Sequence, residues 1–114
     1  MKAVEKLYKK ENMVQRSIHL DDNLYFKLQH LSDDIFDATI SKIINVCIED
    51  YLNNGNFEYY MRPENVGSMY RSLVLRESLY IKLEEIKRKT GISFTRLLND
   101  AIKKFLENNK EYFK

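Results

Sequence analysis

A chain that carries the same pattern twice must fold so that both copies fit at once, and this chain does carry one pattern twice. Displaced by 55 positions, Arg16-Ser17-Ile18-His19-Leu20 lies over Arg71-Ser72-Leu73-Val74-Leu75, and Leu24-Tyr25-Phe26-Lys27-Leu28 over Leu79-Tyr80-Ile81-Lys82-Leu83. Beyond Leu31/Ile86 the displacement drops to 54, because the first copy has one extra residue between its helices. Residues 39–45 then lie over 93–99, and through Leu52/Leu106 ten pairs are identical. The chain is an internal duplication, and any fold assigned to it has to place both copies.

Each copy reads in three parts. The first alternates: Ile18 and Leu20 share one face, with Gln15, Ser17 and His19 on the other; Leu73 and Leu75 share one face, with Tyr70, Ser72 and Val74 on the other. A period of two marks a half-buried strand. The second part spaces Leu24, Leu28, Leu31 and Leu79, Leu83, Ile86 at i, i+4, i+7, which puts each trio on one face of a helix. The third carries Ile43, Ile44, Cys47, Ile48, Tyr51, Leu52, matched by Leu97, Leu98, Ala101, Ile102, Phe105, Leu106. That broader stripe predicts the better-buried helix of each copy.

The predicted boundaries have chemical reasons. Thr39 and Ser93 suit the N-caps of the second helices, where a hydroxyl accepts from an otherwise unpaired backbone N–H. Gly91 suits the left-handed residue that ends the preceding helix, after the favourable cations Lys87, Arg88 and Lys89. The first copy has Phe36-Asp37 there, so its corner must be built differently. Asn53-Asn54-Gly55-Asn56 closes the first copy. A linker with Pro63 and Gly67 follows, and its Phe57, Tyr59, Tyr60 and Met61 are expected to pack on the core. The expected organisation is a basic arm or short helix over 1–14, a first motif over 15–52, a packed linker over 53–69, a second motif over 70–106 and a tail over 107–114. Residues 15–106 are expected to act as one domain.

Composition narrows the classes. Three Gly and one Pro disfavour an all-β barrel or sandwich. A single Cys excludes an internal disulfide framework, and two His with one Cys leave no Cys/His zinc site within the chain. No apolar run approaches a membrane span, and the N-terminus lacks the apolar core of a signal peptide, so a cytoplasmic setting is expected. Ser17, His19 and Asp21 mimic a catalytic trio only superficially, since alternate strand residues do not supply nucleophile–base–orienter geometry. No enzyme, cofactor, metal or small-molecule ligand is expected.

A lone strand cannot satisfy its edges, and a unit of this size has too little core to stand alone. Two copies solve both problems if their strands pair antiparallel over four interlocking helices. In strand pattern, helix lengths, the Gly91 corner and the Ser93/Thr95 start, residues 16–52 and 71–106 resemble the ribbon-helix-helix DNA-binding proteins, typified by the Arc and MetJ repressors. The resemblance implies a mainly α fold with a two-stranded antiparallel β-ribbon, made here by two motifs of one chain as an intramolecular pseudo-dimer. It implies double-stranded DNA as the partner and a transcriptional regulator as the role; Phe57, Tyr59, Tyr60 and Tyr112-Phe113, if exposed, favour side-by-side assembly on DNA. An accessory factor of plasmid transfer or partition is the sibling reading, and an interaction module that has lost DNA binding is the alternative of another class. The short tail after Leu106 disfavours the toxin-binding role of the family's antitoxins.

Carried onto this sequence, the resemblance assigns base readout to Gln15, Ser17, His19, Tyr70, Ser72 and Val74. A ribbon fits the major groove, where Gln pairs with adenine, Ser suits either base type and Val meets a thymine methyl. It assigns phosphate contacts to the backbone at Thr39-Ile40 and Ser93-Phe94. Arg88 and Lys89, just before the second of these, are expected to assist it, and the long stems of Arg16 and Arg71 suit either a phosphate contact or a cap on the core edge. None of the six ribbon positions is basic, where the family usually carries Arg or Lys. The near-neutral total of +2 hides a split: residues 15–52 hold three cations against seven anions, and residues 70–106 hold nine against four. Phosphate binding is driven by Lys and Arg, so the grip is expected to be uneven and the site asymmetric.

Overall fold

The computed structural model describes residues 12–113, so the arm expected at Lys2, Lys6, Lys9 and Lys10 lies outside the described residues. Its elements are β1 (Met13–Asp21), α1 (Asp22–His30), α2 (Ile40–Asn54), β2 (Ser68–Arg76), α3 (Glu77–Thr90) and α4 (Phe94–Asn108), closed by a 3-10 turn at Lys110–Phe113. β1 and β2 pair antiparallel as the one sheet of the described chain, which is otherwise mainly helical. Among the described residues, no helix is long and apolar enough to cross a membrane. The strands begin at Met13 and Ser68, ahead of the alternating stretches, because ladder hydrogen bonds continue where side chains no longer alternate.

The core follows the two periods. Ile18, Leu20, Leu73 and Leu75 are buried beneath the ribbon, and Leu24, Leu28, Leu79 and Leu83 line the inner faces of α1 and α3. α2 and α4 pack against each other and carry the larger stripe: Ile44, Cys47, Ile48, Leu97, Leu98 and Ile102 are wholly buried or nearly so. Each such aliphatic side chain contributes about 1.5–3 kcal/mol relative to exposure.

The extra residue of the first copy has a definite structural home. α1 is followed by a single π-helical turn at Leu31–Ile35, with Phe36 N–H bonded to Leu31 O at 2.7 Å. A π turn takes up one more residue than an α turn, which is how a one-residue insertion is absorbed without rotating the next helix. After it, Asp37 adopts φ +48°, and the matching residue of the second copy, Gly91, adopts φ +75°. Both corners thus use a left-handed residue; glycine does so without steric cost, and aspartate is among the few others that tolerate it.

The linker is stapled to both copies. Asp100, buried on α4, accepts from Tyr51 Oη at 2.6 Å and from Glu58 N–H at 3.2 Å, and pairs with Lys104 Nζ at 3.1 Å. Tyr60 is buried and donates to Asp21, which Arg62 approaches at 3.6 Å. Phe57 packs against Tyr51 with ring centroids 5.0 Å apart. The expectation that all four apolar linker residues pack inward is corrected at two of them. Tyr59 and Met61 are exposed, because the linker's path turns Phe57 and Tyr60 inward instead; Tyr59 covers the Arg96 guanidinium at 4.1 Å. Gly67 ends the linker against Asp22, whose carboxylate would lie 2.6 Å from any added Cβ, and its carbonyl accepts from Asp22 N–H at 2.8 Å.

Burial and the neighbouring carboxylates push the Tyr51 and Tyr60 hydroxyls well above their ordinary values, and burial does the same to the Cys47 thiol. The fold therefore keeps protons that the unfolded chain releases from roughly pH 8.5 for Cys and 10 for Tyr. Stability is expected to be level near neutrality and to fall above about pH 9, because the folded state then binds more protons than the unfolded one. Urea midpoints at pH 7.5 and 10.5 check this, and Tyr51→Phe should show a shallower alkaline decline.

Candidate nucleic-acid interface

The register of the ribbon decides which side chains share a surface. Ser17 lies opposite Ser72, with Gln15 opposite Val74 and His19 opposite Tyr70. Side chains alternate across a strand, so these three pairs stand on one face while Ile18, Leu20, Leu73 and Leu75 stand on the other. The six residues assigned to base readout are thus brought together. Gln15, Ser17, Tyr70, Ser72 and Val74 are exposed, and His19 is half-buried.

Several of these side chains also hold one another. Gln15 Nε2 donates to Ser72 Oγ at 2.8 Å, and the His19 and Tyr70 rings tilt together with centroids 4.7 Å apart. Ser68 Oγ lies 3.3 Å from both His19 ring nitrogens. The face is polar and aromatic at its centre, and carries no cation at the six positions. Asp21, third of the superficial trio, is buried and committed to Tyr60 and Arg62 rather than aligned with Ser17.

The outer edges of the ribbon are covered by two side chains that the apolar pattern does not single out. Asn99 on α4 donates through Nδ2 to His19 O at 3.1 Å and Thr95 O at 2.8 Å, and its Oδ1 accepts from Asp21 N–H at 3.2 Å. Asn45 on α2 makes the matching set across the molecule: Nδ2 to Val74 O at 3.1 Å and Ser41 O at 2.8 Å, with Oδ1 accepting from Arg76 N–H at 2.8 Å. Each second helix therefore clips the strand of the other copy. A sequence signal existed, since Asn45/Asn99 is one of the identical pairs and sits at the margin of the apolar stripe. Polar residues buried in such a stripe need partners, and strand-edge backbone is the partner available.

These clips bring the starts of α2 and α4 to opposite ends of the ribbon. The predicted N-caps form: Thr39 Oγ1 accepts from Lys42 N–H at 3.2 Å, and Ser93 Oγ from Arg96 N–H at 3.3 Å. Ser41 Oγ accepts from Val74 N–H at 3.1 Å, which sets the α2 start against β2. A recess of about 210 Å³ joins His19 to Ser93, Thr95, Arg96 and Arg62, setting the α4 start beside β1. The first-turn N–H groups at Ile40 and Phe94 have no carbonyl four residues back within their helix, so each start presents a partial positive charge next to the ribbon. Ile40 and Phe94 themselves are half-buried, the Phe94 ring tilted against that of Tyr80 with centroids 5.1 Å apart.

Arg16 and Arg71 serve the core rim rather than projecting with the outward set. The Arg16 guanidinium lies 4.8 Å from the Tyr80 ring centre and the Arg71 guanidinium 3.8 Å from that of Tyr25, so each crosses to the first helix of the other copy. Such stacking contributes about 0.5–1 kcal/mol at exposed sites. Arg71 also faces Asp22 at 3.6 Å. Arg88 and Lys89 are exposed in the last turn of α3, just before the Gly91 corner and the Ser93 cap. At the corresponding corner of the first copy, Asp33, Asp34 and Asp37 are exposed, with Asp34 2.9 Å from His30 Nδ1.

Against known proteins, the chain matches no family model, no curated protein and no solved structure.

Proposed function

We propose that this chain is a sequence-specific double-stranded DNA-binding protein of the ribbon-helix-helix kind, acting as a transcriptional regulator, in which two motifs of one chain pair as an internal pseudo-dimer. The observation that carries the reading is the outward ribbon face: six polar, aromatic and small apolar side chains in register about Ser17 and Ser72, flanked at both ends by the start of a long helix. A two-stranded ribbon of this width enters the major groove, where its side chains meet base edges, while helix N-termini at its flanks receive backbone phosphates.

On this reading the first copy supplies the better base readers, through Gln15, Ser17 and His19. The second supplies most of the phosphate grip, through the α4 start with Arg88 and Lys89. The acidic corner at Asp33, Asp34 and Asp37 weakens the grip at the other end. One observation favours an interaction module instead: no cation stands among the six ribbon residues.

Binding of a mixed-sequence duplex across salt concentrations separates the two. DNA affinity is expected to fall with rising salt, and Arg88→Glu/Lys89→Glu is expected to weaken it and flatten the slope by about 0.9 for each phosphate no longer neutralised. An affinity and slope untouched by that double change would remove the phosphate anchor from the proposal. No salt-dependent binding at all would favour the interaction module.

A further inference from the structure

The duplication allows charge to be compared position by position, and at the helix corners its sign inverts. Asp33 and Asp34 in the π turn match two of Lys87, Arg88 and Lys89, whichever side of the turn the extra residue is counted on. Farther along, Glu49 and Asp50 on α2 match Lys103 and Lys104 on α4. Two identical motifs would present like charge at both ends of the molecule. Here one end is anionic and the other cationic.

Part of this inversion is used internally: Glu49 pairs with Arg76 at 2.7 Å, and Lys104 with Asp100. The corner residues are not used up in this way. Asp33, Asp37, Arg88 and Lys89 make no ion pair among the described residues, and all four are exposed. The acidic corner also exposes apolar surface beside its carboxylates. Ile35 and Phe36 are about two-fifths exposed, and Phe36 stands edge-on to Tyr112 with ring centroids 5.3 Å apart. At the basic corner the exposed side chains are long: the stems of Lys87, Arg88 and Lys89 can lie along aromatic surface while their charged heads reach carboxylates or ring faces.

We propose that copies of this protein associate head to tail, the basic α3–α4 corner of one molecule seated on the acidic, aromatic π-turn corner of the next. The contact is heterologous, joining two different patches, so it leaves one free end of each kind and propagates rather than closing as a symmetric dimer. Its occupant is a second copy because the complementary patch is already present on the same chain, at the equivalent place in the repeat. The inference rests on the duplicated fold and the charge inversion, and stands whether or not the ribbon reads DNA.

The test uses the full chain without DNA, in sedimentation velocity at about 20 mM salt and again at about 500 mM, where exposed charges are screened. Wild type is expected to associate with rising concentration at low salt and to disperse at high salt. Asp33→Lys/Asp34→Lys carries two basic corners and Arg88→Glu/Lys89→Glu two acidic ones, so each alone is expected to associate at least about tenfold more weakly. Mixed in equal amounts, the two variants are expected to recover association as mixed pairs. All four positions are exposed, and matching circular dichroism melts verify that both variants are folded. Wild type that stays monomeric at low salt, single variants that associate as wild type does, or a mixture that fails to recover would each overturn the proposal. Failure of DNA binding by wild type would leave these outcomes unchanged, so the two proposals fail separately.

Discussion

Replacing Asn99 with alanine is expected to destabilise the fold by about 1–3 kcal/mol, the usual cost of stranding buried hydrogen-bonding groups. The side chain is 2% exposed and holds His19 O, Asp21 N–H and Thr95 O together, so its loss strands polar groups at the strand edge that water reaches poorly. Asn45→Ala is expected to act alike at the other edge, through Val74 O and Arg76 N–H. The two asparagines share no partner, so the double variant should be destabilised by nearly the sum. Urea unfolding of the single and double variants measures this directly. Asn→Asp is no rescue, because a carboxylate accepts but cannot donate to the two carbonyls and adds a buried charge. At matched folded fraction, the Asn99 variant should also bind DNA less well, since the edge it releases carries His19.

A second large effect is expected beneath the ribbon. Leu20 and Leu75 are fully buried and occupy matching places in the two strands. Truncation of either to alanine should cost about 2–5 kcal/mol, combining the forfeited transfer energy with the cavity left behind. A domain of this size has about 5–15 kcal/mol in all, so the double truncation should leave little folded protein. The neighbouring residues on the outward face give the contrast. Val74→Ala and Ser17→Ala should change stability by no more than about 0.5 kcal/mol, as surface substitutions usually do. Thermal melts of the four single variants test the partition of each strand into a core face and an outer face.

The alternation that makes this partition is legible in the residues, as are the Thr39 and Ser93 caps and the left-handed Gly91. Each depends on local chemistry that a short stretch of sequence states by itself. What is not legible depends on contacts made at a distance. Asn45 and Asn99 look like polar residues at the margin of an apolar stripe until the opposite strand is placed against them. Asp100 looks like a surface residue, since its match in the first copy, Val46, is half-exposed; it is buried because the linker lies over the second copy. The π turn shows only as a change of displacement from 55 to 54, which signals an insertion without its conformation. Hydrophobicity alone places Tyr59 and Met61 inside, and the linker's path turns them outward. On the ribbon face the register brings together the six residues that alternation places outward, because pairing is fixed about Ser17 and Ser72.

The charge split is what sets this chain apart from a symmetric arrangement of two motifs. Under the proposed function it makes the grip on DNA uneven, with base contacts weighted to one strand and phosphate contacts to the other half. A palindromic site would waste that asymmetry.

Selection of bound sequences from random double-stranded DNA, run in parallel with wild type and with Ser17→Ala/His19→Ala, tests the central claim most directly. Wild type is expected to enrich one asymmetric site, and the double variant to lose that enrichment while keeping its melting temperature and much of its salt-dependent, sequence-independent affinity. An absence of enrichment by wild type, or a site enriched equally well without the Ser17 hydroxyl and the His19 ring, would contradict it.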